Sequence, residues 1–391
     1  MQEQRQRIKL VSALLVWAPL MMCACAQDIV SSASEKAPLQ MADKATASNS
    51  LGIRTIATEK TRLTEKDFEV NSLAWSPDGK YLATTGILTK SVNIWDVEKR
   101  QVVRTLMSWV PGHAWSGLAY SPDGRFLAGC QHSKGIKVRV WDPMTGQVVH
   151  DADSNGSCET LAFSPDGKWL VAGYRGGDAK ALEEFKSVVF VDTMTWRVAK
   201  AWTIPGLYVE KIAFKPDGKE LAVAGSRFPF LFPAGVIQVW TVDSGEKVKE
   251  TVVHAKTEVL SLAYSMSGQF IAAGTSTGPG RRSLDLKSNQ WFQQNNTEAI
   301  RLWDVSGGEI TTLLSTDLPN GTHVGALSYT SDGKYLIAGG WDSSLHIWDA
   351  TNYQLLQTIK TSGPVLSMRI KSDSAEFAAS IRNTVTIWKL E

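Results

Sequence analysis

The chain has 391 residues, enough for two or three average domains or for one large β architecture. Its 41 Lys and Arg residues nearly balance 39 Asp and Glu residues, and the formal net charge is +2, so it lacks the concentrated positive charge by which proteins bind nucleic acids. A hydrophobic content of 43% is typical of a folded globular protein.

Residues 1–26 have the pattern of a secretory signal peptide. Basic side chains precede an apolar run at residues 10–22, which is too short and too early for a stable transmembrane span. The A-x-A pattern at residues 24–26 predicts cleavage to a soluble chain that starts at Gln27. Alternatively, the letters MCAC resemble a bacterial lipobox, in which Cys25 would be lipidated. Either outcome predicts an extracytoplasmic protein, periplasmic or anchored to a membrane as a lipoprotein.

Residues 27–50 are predicted to be a disordered tether. They are small and polar and contain few aromatic side chains, so they cannot bury enough apolar surface to fold.

Residues 51–391 are predicted to form one repeat domain, because one sequence pattern recurs in them seven times. The copies are SLAWSPDGKYLATTG from Ser72, GLAYSPDGRFLAGC from Gly117, TLAFSPDGKWLVAG from Thr160, KIAFKPDGKELAVAG from Lys211, SLAYSMSGQFIAAG from Ser261, ALSYTSDGKYLIAGG from Ala326 and SMRIKSDSAEFAAS from Ser367. In each copy two apolar runs flank a polar centre such as S-P-D-G, whose proline and glycine favour a tight β-hairpin. A third run usually ends in Trp-Asp, and a fourth follows in six copies. Each copy is therefore predicted to be a four-stranded antiparallel meander that must stack on its neighbours.

The S-P-D-G and Trp-Asp patterns resemble those of WD40 repeats. The resemblance covers about residues 51–391, although the third copy has Val191 and Asp192 in place of Trp-Asp. It implies an all-β fold, a seven-bladed β-propeller of four-stranded antiparallel blades. The alternation within the third run places each tryptophan on the same face, where it can fill the gap between sheets.

The order of the repeats also predicts how the ring closes. Only three residues follow Trp388, so the seventh copy lacks its outer strand. Residues 52–57, GIRTIA, resemble residues 102–107, VVRTLM, in the outer strand of the first copy. We therefore predict that a strand at about 52–57 completes the last blade, which removes an exposed sheet edge.

Two kinds of connection are predicted to lie at opposite ends of the blades. The turns between first and second strands and between third and fourth strands are short and repetitive, and we call their end the turn face. The connections between second and third strands and between blades vary in length, and we call their end the loop face. Functional loops on a rigid scaffold usually occupy such variable positions.

Aromatic and arginine side chains of the loop face are the predicted partner-binding residues, because interface hot spots have this composition. These candidates are Trp109, Trp115, Arg175, Phe228, Phe230, Phe232, Arg281, Arg282, Trp291 and Phe292. Two alternatives remain open: the phenylalanines could fold back and cap blade four, and the insertion at residues 275–298 could be disordered.

Two cysteines remain beyond the signal segment. Cys130 ends a second strand and Cys158 begins the first strand of the next blade, so both should lie towards the loop face. A disulfide between adjacent blades and two separate buried thiols are both compatible with this spacing.

Residues 151–156 match the opening of a calcium loop, D-x-[DN]-x-[DN]-G. Asp151, Asp153, Asn155 and Glu159 could supply oxygens, but three or four ligands are few for calcium. The twelfth position, where such a loop uses a bidentate glutamate, is Ala162 in an apolar strand. We therefore predict a connection between blades here, and no metal site.

The sequence predicts a non-enzymatic scaffold that binds a protein or peptide through the loop face, without a cofactor. Its six histidines are dispersed, and no metal, phosphate-loop or nucleophile-elbow motif appears. Membrane contact is expected only through a lipid on Cys25. Two other hypotheses remain: an extracytoplasmic propeller enzyme of lactonase or hydrolase type, and a subunit of an envelope complex.

Overall fold

The computed structural model of the protein describes residues 56–66, 68–86, 89, 91–107, 115–131, 136–153, 156–176, 185–227, 234–255, 258–276, 283–285, 290–292, 300–308, 310–314, 323–372 and 375–391. The strands in these ranges are β1 Ala57–Thr64, β2 Val70–Trp75, β3 Tyr81–Gly86, β4 Ser91–Asp96, β5 Gln101–Met107, β6 Trp115–Tyr120, β7 Leu127–Gln131, β8 Ile136–Trp141, β9 Val148–Asp153, β10 Ser157–Phe163, β11 Trp169–Arg175, β12 Val188–Asp192, β13 Val198–Trp202, β14 Leu207–Phe214, β15 Glu220–Arg227, β16 Ala234–Thr241, β17 Lys247–Ala255, β18 Val259–Tyr264, β19 Phe270–Thr275, β20 Ser283–Asp285, β21 Gln290–Phe292, β22 Ile300–Asp304, β23 Ile310–Leu314, β24 Ala326–Tyr329, β25 Tyr335–Gly339, β26 Ser344–Asp349, β27 Leu355–Lys360, β28 Val365–Ile370, β29 Glu376–Ile381 and β30 Thr384–Leu390. Within these ranges, no helix has the length and apolar character needed to cross a membrane.

Seven four-stranded antiparallel sheets form the blades of a propeller. In order from the innermost strand outward they are β2–β5, β6–β9, β10–β13, β14–β17, then β18, β19, β22 and β23, then β24–β27, and finally β28, β29, β30 and β1. Strands β20 and β21 pair with each other inside the insertion of blade five. The prediction of an all-β, seven-bladed propeller is confirmed.

A repeated hydrogen-bond pattern shapes the hairpin between the first two strands of a blade. In blade one, Ser76 Oγ donates to Asp78 Oδ1 at 2.6 Å and accepts from the Tyr81 backbone N–H at 2.9 Å. Gly79 then has a φ of +66°, the left-handed conformation that glycine adopts without steric cost. The same bond from serine or threonine to aspartate recurs in blades two, three and six. The turn chemistry expected from S-P-D-G is therefore present.

The hydrophobic core lies between the blades rather than within any one of them. Seven clusters of buried apolar side chains occur in the described residues, and each combines two neighbouring blades. In one cluster, Trp141 of blade two packs with Ile94 and Leu106 of blade one. Another joins Ile387 of blade seven to Trp95 of blade one. Because the last blade packs on the first, the apolar contacts continue around a closed ring.

Strand β1 closes this ring as the outer strand of blade seven. It pairs antiparallel with β30, with Ala57 opposite Leu390 and Leu63 opposite Val385. The predicted partner is therefore confirmed, but the predicted bounds of about 52–57 are corrected to 57–64, and residues 51–55 lie outside the described part of the chain. Five of the eight residues of β1 are exposed and three are buried, so a short sequence likeness could not determine which residues pair.

Candidate interaction surface and central channel

The structure describes some of the predicted partner-binding residues of the loop face and not others. Trp115 lies on β6, and Trp291 and Phe292 lie on β21, where only the backbone is described. Trp291 pairs with Leu284 and Phe292 with Ser283, so part of the blade-five insertion is a hairpin. The candidates outside the described residues are Trp109, Phe228, Phe230, Phe232, Arg281 and Arg282.

Among the predicted partner-binding residues, Arg175 is the one whose side-chain position the structure describes. This side chain is exposed at the loop face. It ends β11 of blade three and lies against Tyr208 on β14 of blade four. The guanidinium carbon is 5.5 Å from the centroid of the Tyr208 ring, within the range of a cation–π contact. This contact orients the guanidinium while leaving it at the surface.

A second aromatic group on the loop face, Trp341, was missed by the sequence analysis. It lies in the turn between β25 and β26, is 60% exposed, and its ring centroid is 5.0 Å from that of His323. Burial lowers the pKa of His323, against the opposing charge of Glu258, so the imidazole is neutral at neutral pH. One signal could have revealed Trp341: it is a tryptophan outside the third-strand position where the repeats place theirs.

Glu210 is a buried carboxyl group near the loop end of blade four. It occupies a bulge in β14, between Val209 and Lys211, and accepts a 2.9 Å hydrogen bond from Ser226 Oγ. Its second oxygen, Oε2, is buried without a partner among the described residues. Desolvation raises the pKa of Glu210 to about 7, although the Ser226 hydrogen bond opposes this shift.

A central channel of about 440 Å³ runs between the innermost strands of all seven blades. Among the described residues that line it, Glu159, Lys211 and Arg369 carry the charges. Lys211 lies on β14 of blade four and Arg369 on β28 of blade seven, so the two cations come from well-separated blades.

The two cysteines are buried thiols in the cluster between blades two and three. Cys130 Sγ donates to the Cys158 carbonyl oxygen at 3.6 Å, and Cys158 Sγ donates to the Thr160 carbonyl oxygen at 3.7 Å. Burial raises the pKa of Cys158 far above that of an ordinary thiol. Both residues are thiols in the structure, which is the second of the two alternatives; whether they pair in an oxidising environment is left to experiment.

The calcium-like residues do not form a single loop. Strand β9 continues through Asp153, so residues 151–153 belong to a strand and not to the predicted connection between blades, while Glu159 lies on β10 and lines the channel. Both carboxylate oxygens of Asp151 accept 2.7 Å hydrogen bonds from the Arg139 guanidinium. The position of Asn155 lies outside the description. The described part of the chain contains no group of three or more side chains placed to hold a metal ion.

Comparison with known proteins supports the repeat pattern. The family model "WD domain, G-beta repeat" matches residues 58–96, 101–142, 147–181 and 312–349. Protein HIR1 of Yarrowia lipolytica is 25% identical over 72% of this chain and 25% of its own length, and nuclear distribution protein nudF of Aspergillus niger is 27% identical over 71% and 48%. The chain thus spans between a quarter and about half of these relatives.

Among solved structures, a chain of Kuenenia stuttgartiensis hydrazine synthase superposes with a TM-score of 0.69 at 19% identity. The match covers 83% of this chain and 96% of that one. At this identity the likeness concerns the propeller fold alone.

Proposed function

We propose that this chain, which carries WD40 repeats on a seven-bladed β-propeller, is a non-enzymatic scaffold that binds a protein or peptide through its loop face. WD40 propellers commonly bind other proteins, and the fold relationship therefore favours this class of function. The observation that carries the proposal is the exposure of Trp341 in the turn between β25 and β26, where its ring lies against the tilted ring of His323.

An exposed tryptophan suits a binding surface because it offers a large apolar area with few rotatable bonds. A tryptophan that becomes buried at an interface removes roughly 150–250 Å² from water, and such residues often dominate binding energy. Arg175 adds a cation held against Tyr208, so little side-chain entropy is lost when it meets an acidic or carbonyl group.

We also propose that the scaffold works outside the cytoplasm, as a periplasmic or lipid-anchored protein. The support is the basic and apolar pattern of residues 1–26, which lies outside the described residues. Mass spectrometry of the N-terminal peptide from native cells tests this proposal. A mature chain that starts at Gln27, or at a lipidated Cys25, would support it, whereas an intact residue 1–26 segment would contradict it.

The binding proposal is tested by crosslinking and pull-down from native cells. The test protein is a Trp341→Ala, Arg175→Gln double variant, compared with the wild type. The matched control is a Met194→Ala, Arg125→Gln variant on the turn face: Met194 is 89% exposed, and Arg125 lies 5.2 Å from the Phe126 ring centroid. Thermal melts confirm that each variant is folded.

We expect the wild type and the turn-face control to capture the same partner and the loop-face variant to lose it. If both folded variants capture everything that the wild type captures, the binding surface is elsewhere. The identity of a captured protein also distinguishes a free scaffold from a subunit of an envelope complex.

One observation favours the enzymatic alternative of lactonase or hydrolase type. Glu210 has a pKa raised to about 7 by desolvation, a property that general acids and bases share. Activity of the full chain against a panel of lactones and esters tests this alternative. A hydrolysis rate that disappears in Glu210→Gln would establish it, and we expect no rate above that of a heat-denatured sample.

A further inference from the structure

The innermost strands carry two layers of small side chains, most of which line the central channel, and each layer is interrupted once by a cation. In the first layer the equivalent residues are Ser72, Gly117, Thr160, Lys211, Ser261, Ala326 and Ser367. In the second layer, two residues further along each strand, they are Ala74, Ala119, Ala162, Ala213, Ala263, Ser328 and Arg369. The repeat itself therefore does not require a charge at either position.

Bulges fix which residues of the inner strands are equivalent. Six of these strands shift register by one residue immediately before the first layer, as at Glu159 in β10, Glu210 in β14 and Leu366 in β28. The bulges place Lys211 in the layer of Ser261 and Ser367, and Arg369 in the layer of Ser328. Both cations line the same cavity.

The protein itself leaves these two cations mostly unpaired. Within the described part of the chain, the side chain of Lys211 forms no hydrogen bond or ion pair, and that of Arg369 uses one nitrogen, Nη1, to donate to the Met368 carbonyl oxygen at 2.9 Å. The side chain of Arg369 is exposed, so its other guanidinium donors are accessible to a molecule in the channel.

The charges of the channel do not balance. Against two cations stands one carboxylate among the described lining residues, that of Glu159. Desolvation lowers the pKa of Lys211, and the charge of Arg369 lowers it further, while Glu159 opposes the shift. Because Lys211 is partly exposed and Arg369 is exposed, this desolvation is weaker than in a sealed core. The repulsion agrees with the position of both cations on one cavity.

We propose that the channel binds a small free oxyanion, a phosphate or a carboxylate, between Lys211 and Arg369. An arginine offers a planar fork of donors that matches phosphate and carboxylate oxygens, and a lysine adds a compact positive charge. A volume of about 440 Å³ lies in the usual range of small-molecule sites. The bound anion would neutralise the excess positive charge and remove the repulsion between the two cations.

Isothermal titration calorimetry of the full chain tests this proposal. Inorganic phosphate and citrate are titrated separately at pH 7, at low ionic strength and in a buffer without oxyanions, because screening weakens such contacts. The channel variants are Lys211→Ser and Arg369→Ala, which introduce residues that other blades already hold at the same positions. Lys211→Arg keeps the charge. The matched controls are Lys334→Ser and Arg125→Ala, which remove exposed charges paired with Asp332 and Asp123 on the turn face.

We expect the wild type to bind one equivalent of at least one probe and to melt at a higher temperature with it. Lys211→Ser and Arg369→Ala should each weaken binding by about tenfold or more, while Lys211→Arg and both controls should bind as the wild type does. Thermal melts without ligand distinguish a loss of binding from a loss of folding. Each channel variant should be folded and at least as stable as the wild type. No binding of either probe at millimolar concentrations, or equal binding by the wild type and the channel variants, would overturn the proposal.

Discussion

Ser226 Oγ donates a 2.9 Å hydrogen bond to one oxygen of Glu210, while the other oxygen of this carboxyl group is buried without a partner among the described residues. Desolvation is the main cause that raises the pKa of Glu210 from its ordinary value of 4.5 to about 7. A protonated carboxyl group can donate from its second oxygen and carries no charge to desolvate, so burial favours the acid form.

The stability of the protein should therefore depend on pH through Glu210. Between pH 4.5 and about 7 the folded state holds one more proton at this site than the unfolded state, so the contribution of Glu210 to stability falls as pH rises. The Glu210→Gln variant removes this dependence. We expect the stability of the variant relative to wild type to rise through this window and to level off above it, at a gain of up to about 3 kcal/mol by pH 8, as measured by urea unfolding at several pH values.

Glu250 in the same blade provides a control of opposite sign. Hydrogen bonds from Lys247 and Arg227 lower its pKa, although desolvation, the largest single influence, acts to raise it. Its ionised form therefore stabilises the fold above its unfolded pKa, and this contribution is lost as pH falls. Glu250→Gln should cost stability at pH 7 and little at pH 4. If both variants show the same pH dependence, the assignment of the effect to Glu210 is wrong.

Glu65 should be essential to the junction between blades one and seven. Its buried carboxylate accepts hydrogen bonds from Trp95 Nε1 at 2.9 Å, from Asn93 Nδ2 at 2.8 Å and from Thr84 Oγ1. Its backbone exchanges two bonds with Asn383 of blade seven. The Glu65→Ala variant removes the acceptor that three donors share, although Trp95 Nε1 keeps its 3.1 Å contact with Thr84 Oγ1. We expect the variant to lose about 2–4 kcal/mol in chemical denaturation.

Glu69 supplies the control for this experiment, because it lies in the same connection and its side chain is exposed. Glu69→Ala should change stability by less than about 0.5 kcal/mol. Equal stability of the Glu65 and Glu69 variants would contradict a structural role for the Glu65 hydrogen bonds.

The sequence could predict whatever each repeat determines locally. The S-P-D-G turns, the alternation of the strands and the buried third-strand tryptophans depend on residues a few positions apart, and the count of seven copies followed from them. The register of β1 was not predictable in this way, because an outer strand that is largely exposed has little pattern to align.

Contacts between blades were also beyond local prediction. Glu65 meets Trp95 thirty positions away and Asn383 at the other end of the chain, and no motif records this arrangement. Lys211 and Arg369 were visible as departures from the repeat. Only the ring geometry shows that two such departures, in blades four and seven, share one channel.

Removal of β1 should destabilise the whole propeller. A chain that lacks residues 1–64 exposes the backbone groups of β30 that now pair with β1, and it loses Leu63 from the cluster between blades seven and one. We expect a lower and broader melting transition and self-association in analytical ultracentrifugation, since an open sheet edge recruits other strands. A chain that lacks only residues 1–50 keeps β1 and should melt as the full chain does; equal behaviour of the two truncations would disprove this mode of ring closure.

The two thiols should be unreactive in the folded protein. Cys130 and Cys158 are fully buried, and burial disfavours the thiolate of Cys158, which is the nucleophilic form. Alkylation followed by peptide mapping should modify neither residue before denaturation and both after it, without added reductant. If Cys130 and Cys158 still resist alkylation after denaturation and react only after a reductant is added, a disulfide between the blades would be established instead.

Calcium should have no effect on the stability of this protein, because Arg139 already occupies the carboxylate of Asp151. The guanidinium donates to both oxygens at 2.7 Å and its side chain is 3% exposed, so a cation at Asp151 would have to displace a buried charge of the same sign. We expect identical melting temperatures with calcium and with chelator. Arg139→Ala should lose about 2 kcal/mol or more, because the pair is partly buried, whereas Arg62→Ala, which breaks an exposed pair with Glu59, should leave the melting temperature unchanged. A melting temperature that rises with calcium in the wild type but not in Asp153→Ala would show instead that this segment binds the ion.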